Sequence, residues 1–138
     1  MLTEAQRVFD FKKVCDQEDL NEDTKIQLLG KLMNDSQESC DQCYDCSSKE
    51  LNEITKLARD SGALGSRLTG AGWGGCSVSL VKKDILADFI TAMYPYFTKD
   101  RPEGEKLWVT DDLDRYVFAT TAGQGACIVD PEVALWAM

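Results

Sequence analysis

Apolar positions in the first sixty residues recur at helical spacing, and those in the second half alternate. Residues 3–16 carry Ala5, Val8, Phe9, Phe11 and Val14 between charges. That is a broad helical pattern, and it starts without a convincing cap. A second helix is expected from Asp23 or Thr24, either of which can cap it. Ile26, Leu29, Met33, Ser36, Cys40 and Cys43 follow in alternating three- and four-residue steps, one face of a long helix. A third helix follows Ser47, with Glu50 three residues on in a capping-box pattern. Leu51, Ile54, Leu57 and Ala58 form its apolar face, and Ser61-Gly62 ends it.

The period then changes. Ser66 to Thr69 reads as a short strand leading into a glycine-rich loop. Cys76, Val78 and Leu80 alternate with Ser77 and Ser79, which predicts a strand with those apolar residues inward. Asp84 can cap a helix carrying Ile85, Leu86, Phe89, Ile90, Met93 and Phe97, kinked or ended at Tyr94-Pro95. Leu107–Val109, Tyr116–Thr120 and Ala126–Val129 are further strand candidates, with Gly123 and Gly125 turning into the last. Hairpins instead of repeated βαβ units predict an α+β domain with an antiparallel sheet. A single domain is expected over residues 1–138, with helices over 1–62, an α+β region over 63–130 and a tail over 131–138.

Composition narrows the chemistry. The chain has 138 residues, enough for one core. With 24 acidic against 15 basic residues its formal net charge is −9, which argues against nucleic acid or anionic membrane as partners. No window reads as a signal peptide or a membrane span, so a cytoplasmic protein with reduced thiols is expected. There is no histidine. That removes Ser-His and Cys-His pairs, histidine bases and most zinc sites.

The stretch "LTGAGWGGCSV" (68–78) concentrates glycine where backbone freedom is most expensive to lose. Gly70, Gly72 and Gly75 satisfy G-x-G-x-x-G, but the dinucleotide fingerprint needs a helix after the loop, and here a strand follows. A Walker A loop fails for want of Gly-Lys-Ser/Thr. Two readings stay open: backbone N–H groups forming an anion nest, or a loop packed tightly on another segment. Trp73 is then a buried anchor or a contact surface. Arg67, Lys82 and Lys83 flank the loop and can meet a phosphate, or pair with carboxylates. Cys40, Cys43 and Cys46 form C-x-x-C-x-x-C, without the fourth cysteine and proline of a ferredoxin run. Cys40 and Cys43 fall on the apolar stripe of the second helix and Cys46 off it, so core thiols are favoured over a metal site. Asp111-Asp112-Asp114 reads as a solvated turn before a divalent-metal site.

The run "GSRLTGAGWGGCSVSLV" (65–81) resembles the third signature motif of the GHMP kinases, most of all galactokinases and their N-acetylgalactosamine kinase branch. "EAQRVFDFK" (4–12), "LLGKLMNDS" (28–36), "YDCSSKEL" (44–51) and "FATTAGQGA" (118–126) resemble segments of the C-terminal region of those enzymes, in the same order. The resemblance implies a ferredoxin-like α+β core preceded by helices. It implies that the complete enzyme transfers the γ-phosphoryl of ATP, with magnesium, to the anomeric hydroxyl of galactose or N-acetylgalactosamine. It places Arg67, Thr69, Gly70, Ala71, Gly72, Trp73, Gly74 and Gly75 at the active-site cleft, in support of the phosphate-binding loop.

The departures carry equal weight. The family's galactose signature, its serine- and glycine-rich phosphate loop, and its catalytic aspartate and arginine lie in an N-terminal half that has no counterpart here. Gln37 stands where the family usually has histidine. The tail "DPEVALWAM" runs past the usual last strand. The expectation is a C-terminal domain that does not catalyse alone, needs an N-terminal kinase domain as partner, and binds no cofactor by itself. A non-catalytic binding or regulatory module derived from a sugar kinase is the alternative.

Overall fold

The computed structural model describes residues 2–98, 116–121 and 123. Among these residues four helices and one hairpin follow in the order α1 (Leu2–Asp16), α2 (Glu22–Gln42), α3 (Lys49–Asp60), β1 (Gly65–Thr69), β2 (Cys76–Leu80) and α4 (Leu86–Thr98), with a 3-10 turn at Lys83–Ile85 before α4. The strands pair antiparallel, with Ser66 opposite Ser79 and Thr69 opposite Cys76. α2 runs along β1, α3 touches both strands, α1 lies on α2, and α4 packs on α3. This is an α+β fold.

Capping fixes the helix starts one to three residues from their expected places. Asn21, not Asp23 or Thr24, caps α2: its side chain accepts from the Thr24 amide at 2.8 Å. Ser48, not Ser47, caps α3, accepting from Leu51 at 3.2 Å. Glu50 then falls in the first turn but not at the capping-box position. Ser47 instead donates to Asn52 Oδ1 at 2.8 Å. Asp84 caps nothing; it lies within the 3-10 turn that precedes α4. That helix neither ends at Tyr94 nor stops at Pro95, but continues to Thr98.

α3 divides the core. Ala58, Ala63, Phe89 and Met93 form one buried cluster, with Ile54, Leu57, Ile90 and Phe97 around it. Cys46, Leu51 and Leu68 form the other, with Cys40 at its edge. The apolar faces expected of α3 and α4 are therefore the buried ones. Thr55, wholly buried, returns its hydroxyl to the Leu51 carbonyl at 2.8 Å.

The edge of β1 away from β2 is closed by side chains. Asn34 donates to the Leu64 carbonyl at 3.1 Å and accepts from Ser66 N at 3.0 Å. Gln37 accepts from Leu68 N at 2.7 Å and donates to Ser47 and Asn52 at 3.0 Å each. Arg59 donates to the Ser66 carbonyl at 3.3 Å. The close approach of α2 depends on Gly30 facing Leu64 and Gly65. A Cβ on Gly30 would lie 2.5 Å from the Leu64 oxygen.

On α1, Val8 and Phe9 are 65% and 68% exposed, while Val14 is half-buried. Glu4 accepts from Ser36 of α2 and lies 3.6 Å from Arg67 of β1, and Lys25 of α2 donates to the Cys15 carbonyl at 3.4 Å. Two expectations are corrected. In β2 the inward face carries Ser77 and Ser79, not Cys76, Val78 and Leu80. Ser79 meets buried Ser66 hydroxyl to hydroxyl at 2.9 Å, while Cys76 and Val78 are exposed and Leu80 is half-buried. Tyr116–Thr120 forms no strand; Tyr116 stacks on Phe97 at 5.4 Å, and Val117 packs on the first cluster. Leu107–Val109, Asp111-Asp112-Asp114, Gly125, Ala126–Val129 and the tail 131–138 lie outside the described residues.

Gln37→Leu leaves the buried Leu68 N–H without an acceptor. It should lower the unfolding free energy by about 2–3 kcal/mol, read from urea unfolding. Gln37→His keeps one acceptor and one donor and should retain most of that stability; equal losses in both variants would overturn this assignment.

Candidate functional site

The glycine loop joins β1 to β2 across residues 70–75, longer than the two-residue turns that hairpins favour. Its conformation is left-handed at most positions, including Trp73 at φ 55°. A non-glycine residue there requires support. The support comes from the turn between α2 and α3. The Trp73 amide donates to the Cys46 carbonyl at 2.7 Å, and its indole Nε1 donates to the Asp45 carbonyl at 2.8 Å. Tyr44 sets its ring against the indole, centroids 6.4 Å apart. Gly72, at φ 88°, sits so close that an added Cβ would lie 2.1 Å from the Cys46 oxygen. The second reading of the loop is the one these contacts describe. It is packed tightly on another segment, and the N–H groups of Gly70, Ala71, Gly72, Gly74 and Gly75 have no hydrogen-bonded acceptor among the described residues. Successive unpaired amides in left-handed backbone suit an anion.

The turn itself is shaped by the end of α2. Cys43 and Tyr44 both donate to the Ser39 carbonyl, at 3.0 and 3.1 Å, and Asp45 takes a left-handed φ of 56°. The chain then folds back, so that Cys46 N reaches the Cys40 carbonyl at 2.9 Å. This reverses the expected roles of the cysteines. Cys43 is exposed at the cap, and Cys46 is the buried one, 4% exposed. Burial, and next the neighbouring Cys40 thiol, push the Cys46 thiol above its ordinary range. Among the described residues no three metal-ligating side chains come together.

Thr69 to Cys76 line an open depression of about 630 Å³. Thr69 is exposed at its mouth, and Trp73 is 63% exposed on its wall. Arg67 is not turned to this use. It donates to the Leu68 carbonyl at 3.1 Å and lies beside Glu4. Lys82 is paired with Asp23 at 2.6 Å, which holds the ammonium above its ordinary value, and Lys83 is exposed. The structure thus brings Thr69 through Gly75 together and leaves the flanking cations outside. It adds Tyr44, Asp45 and Cys46, which no periodicity marks, because they follow a helix cap; Asp45 and Cys46 act through backbone carbonyls and Tyr44 through its ring. Gln37, placed where the resemblance has histidine, serves β1 and the start of α3, not the depression.

Residues 17–97, more than half of the chain, match the family described as GHMP kinases C terminal. The chain belongs to that family. A galactokinase from Dictyostelium discoideum is 42% identical over 146 aligned residues, covering 96% of this chain and 29% of that protein. A Saccharomyces cerevisiae galactokinase is 38% identical over 116, covering 76% and 20%. The crystal structure of Lactococcus lactis galactokinase complexed with galactose superposes with a TM-score of 0.57 at 28% identity, over 68% of this chain and 23% of that one. This GHMP kinase domain is of galactokinase type, and it spans between a fifth and three-tenths of the length of those relatives. The N-acetylgalactosamine branch is represented by none of the three. No helix among the described residues is long and apolar enough to cross a membrane.

Gly70 and Gly72 share a positive φ but differ in what surrounds them: nothing lies within 4 Å of a Cβ on Gly70. Gly70→Ala should therefore lower stability by about 1 kcal/mol, the strain of the backbone alone. Gly72→Ala meets the Cys46 carbonyl as well and should lose about 3 kcal/mol or more, with altered tryptophan emission. Equal losses in urea unfolding would show that the seat on Cys46 does not hold the loop.

Proposed function

We propose that this chain is the C-terminal portion of an ATP-dependent sugar kinase that phosphorylates the anomeric hydroxyl of galactose. The observation that carries the reading is the glycine loop, seated on the 44–46 turn with five amides that have no acceptor among the described residues. Its family membership and the galactokinases it resembles support the same class. In this reading Thr69, Gly70, Ala71, Gly72, Trp73, Gly74 and Gly75 form one wall of the cleft. They hold backbone N–H groups where phosphate charge must be met, in support of a phosphate loop on the partner domain. ATP, with magnesium, supplies the phosphoryl group. The unpaired amides fit its phosphates, whereas the described residues offer no cluster of three ligands for the metal. Arg67 acts as a positioning residue, tying β1 to Glu4 ahead of the loop.

Galactose is favoured as substrate because the relatives are galactokinases. N-acetylgalactosamine is the second sugar to assay, on the wording of the motif around Trp73. Phosphoryl transfer works by positioning and charge neutralisation, and this chain contributes one wall of the arrangement. The catalytic aspartate and arginine of the resemblance fall on no residue here. We therefore propose that the chain alone turns over neither sugar.

The test is an ATP-coupled assay of residues 1–138, alone and mixed with the N-terminal remainder of the Dictyostelium galactokinase. The expected outcome is no sugar-dependent ADP release alone and galactose-dependent release from the mixture. Turnover by the isolated chain would overturn the claim of dependence. A folded, associated pair that binds sugar but stays inactive would favour a binding module over a kinase.

A further inference from the structure

We propose that Cys40 and Cys46 are a site of reversible oxidation, closing to an intrachain disulfide beneath the glycine loop and reporting their state to Trp73. The inference is independent of which sugar, if any, the protein phosphorylates.

The geometry is set by the backbone. The Cys46 amide donates to the Cys40 carbonyl at 2.9 Å. Adding the distances from each Cα to its bonded atom keeps the two Cα atoms within about 6.8 Å, inside the span of a disulfide. The side chains lie together as well: Cys40 packs on the cluster that contains Cys46, Leu51 and Leu68. Both are free thiols in this structure.

Their exposures differ in a useful way. Cys40 is partly exposed, and Cys46 is buried. Cys40 is the thiol a small hydroperoxide reaches. Its thiolate attacks one peroxide oxygen, the O–O bond breaks, and a sulfenic acid forms with release of water from hydrogen peroxide. The Cys46 sulfur then attacks the Cys40 sulfur. The S–O bond breaks, and the hydroxide leaves as water with the Cys46 proton. Two thiols are oxidised by two electrons and one peroxide is reduced to two waters. An added dithiol reverses the step by exchange. Burial slows Cys46 as a first nucleophile but suits it to the second step, because its target sulfur lies alongside.

The readout follows from what else Cys46 does. Its carbonyl accepts from Trp73 N, and its backbone crowds Gly72. Drawing its sulfur to bonding distance of Cys40 shifts the seat of the loop. Cys43 is the competing partner, exposed at the cap three residues from each.

The experiment treats residues 1–138 with hydrogen peroxide in stoichiometric steps, maps disulfides by peptide mass, and follows emission in a chain carrying Trp108→Phe and Trp136→Phe. Expected are a Cys40–Cys46 bond as the main product and a change in Trp73 emission that dithiothreitol reverses. Cys43→Ser should leave both intact, and Cys40→Ser and, separately, Cys46→Ser should abolish both while circular dichroism confirms the fold. A main product joining Cys43 or Cys15, or oxidation to sulfinic acid without cross-linking, would overturn the site. A Cys40–Cys46 bond with unchanged Trp73 emission would overturn the coupling to the loop.

Discussion

Two side-chain amides do for β1 what a third strand would otherwise do. A strand edge presents N–H and C=O groups that need partners. Here Asn34 and Gln37 provide them from a helix. The match is not automatic. Three residues of helix rise about 4.5 Å, while two residues of strand advance about 6.7 Å. The extra methylene of glutamine helps to cover the difference, so the order asparagine then glutamine suits the order Ser66 then Leu68. Glycine at position 30 lets the helix axis come close enough for either amide to reach.

From Gln37 the constraint passes outward. Its amide nitrogen holds Ser47 and Asn52, and Asn52 in turn donates to Asp41 at 2.7 Å. The end of α2 and the start of α3 are thereby joined across the intervening turn. That turn carries the carbonyls of Asp45 and Cys46, on which the glycine loop rests. The site is thus a property of helix-to-helix polar bonding as much as of the glycines. The apolar clusters supply burial, and one of them includes Cys46, whose carbonyl seats the loop.

Much of this is legible in the sequence. The helices α2, α3 and α4 follow from their spacing, and the hairpin follows from the change of period around the glycines. The long motif at 65–81 points to the family without any geometry. What misleads has physical causes. Helical periodicity projected past Gln42 makes Cys43 inward and Cys46 outward, whereas the cap turns the chain back on itself. Alternation in β2 is correct as a period but wrong in phase. A buried serine on β1 bonded to a half-buried serine on β2 defeats the rule that the apolar set faces in. Gln37 reads as a departure from a family histidine, because its role depends on a strand thirty residues away.

The left-handed residues Asp45 and Trp73 form a pair. Neither is glycine, and each is braced by the loop that contains the other. Groups that share partners in this way respond to substitution non-additively. A change at 44–46 alters the strain that a residue at 72–73 can tolerate, and the reverse. Among descendants of such a domain the two segments should be inherited as a matched set. Grafting either one alone into a relative would break a fit that neither segment encodes by itself.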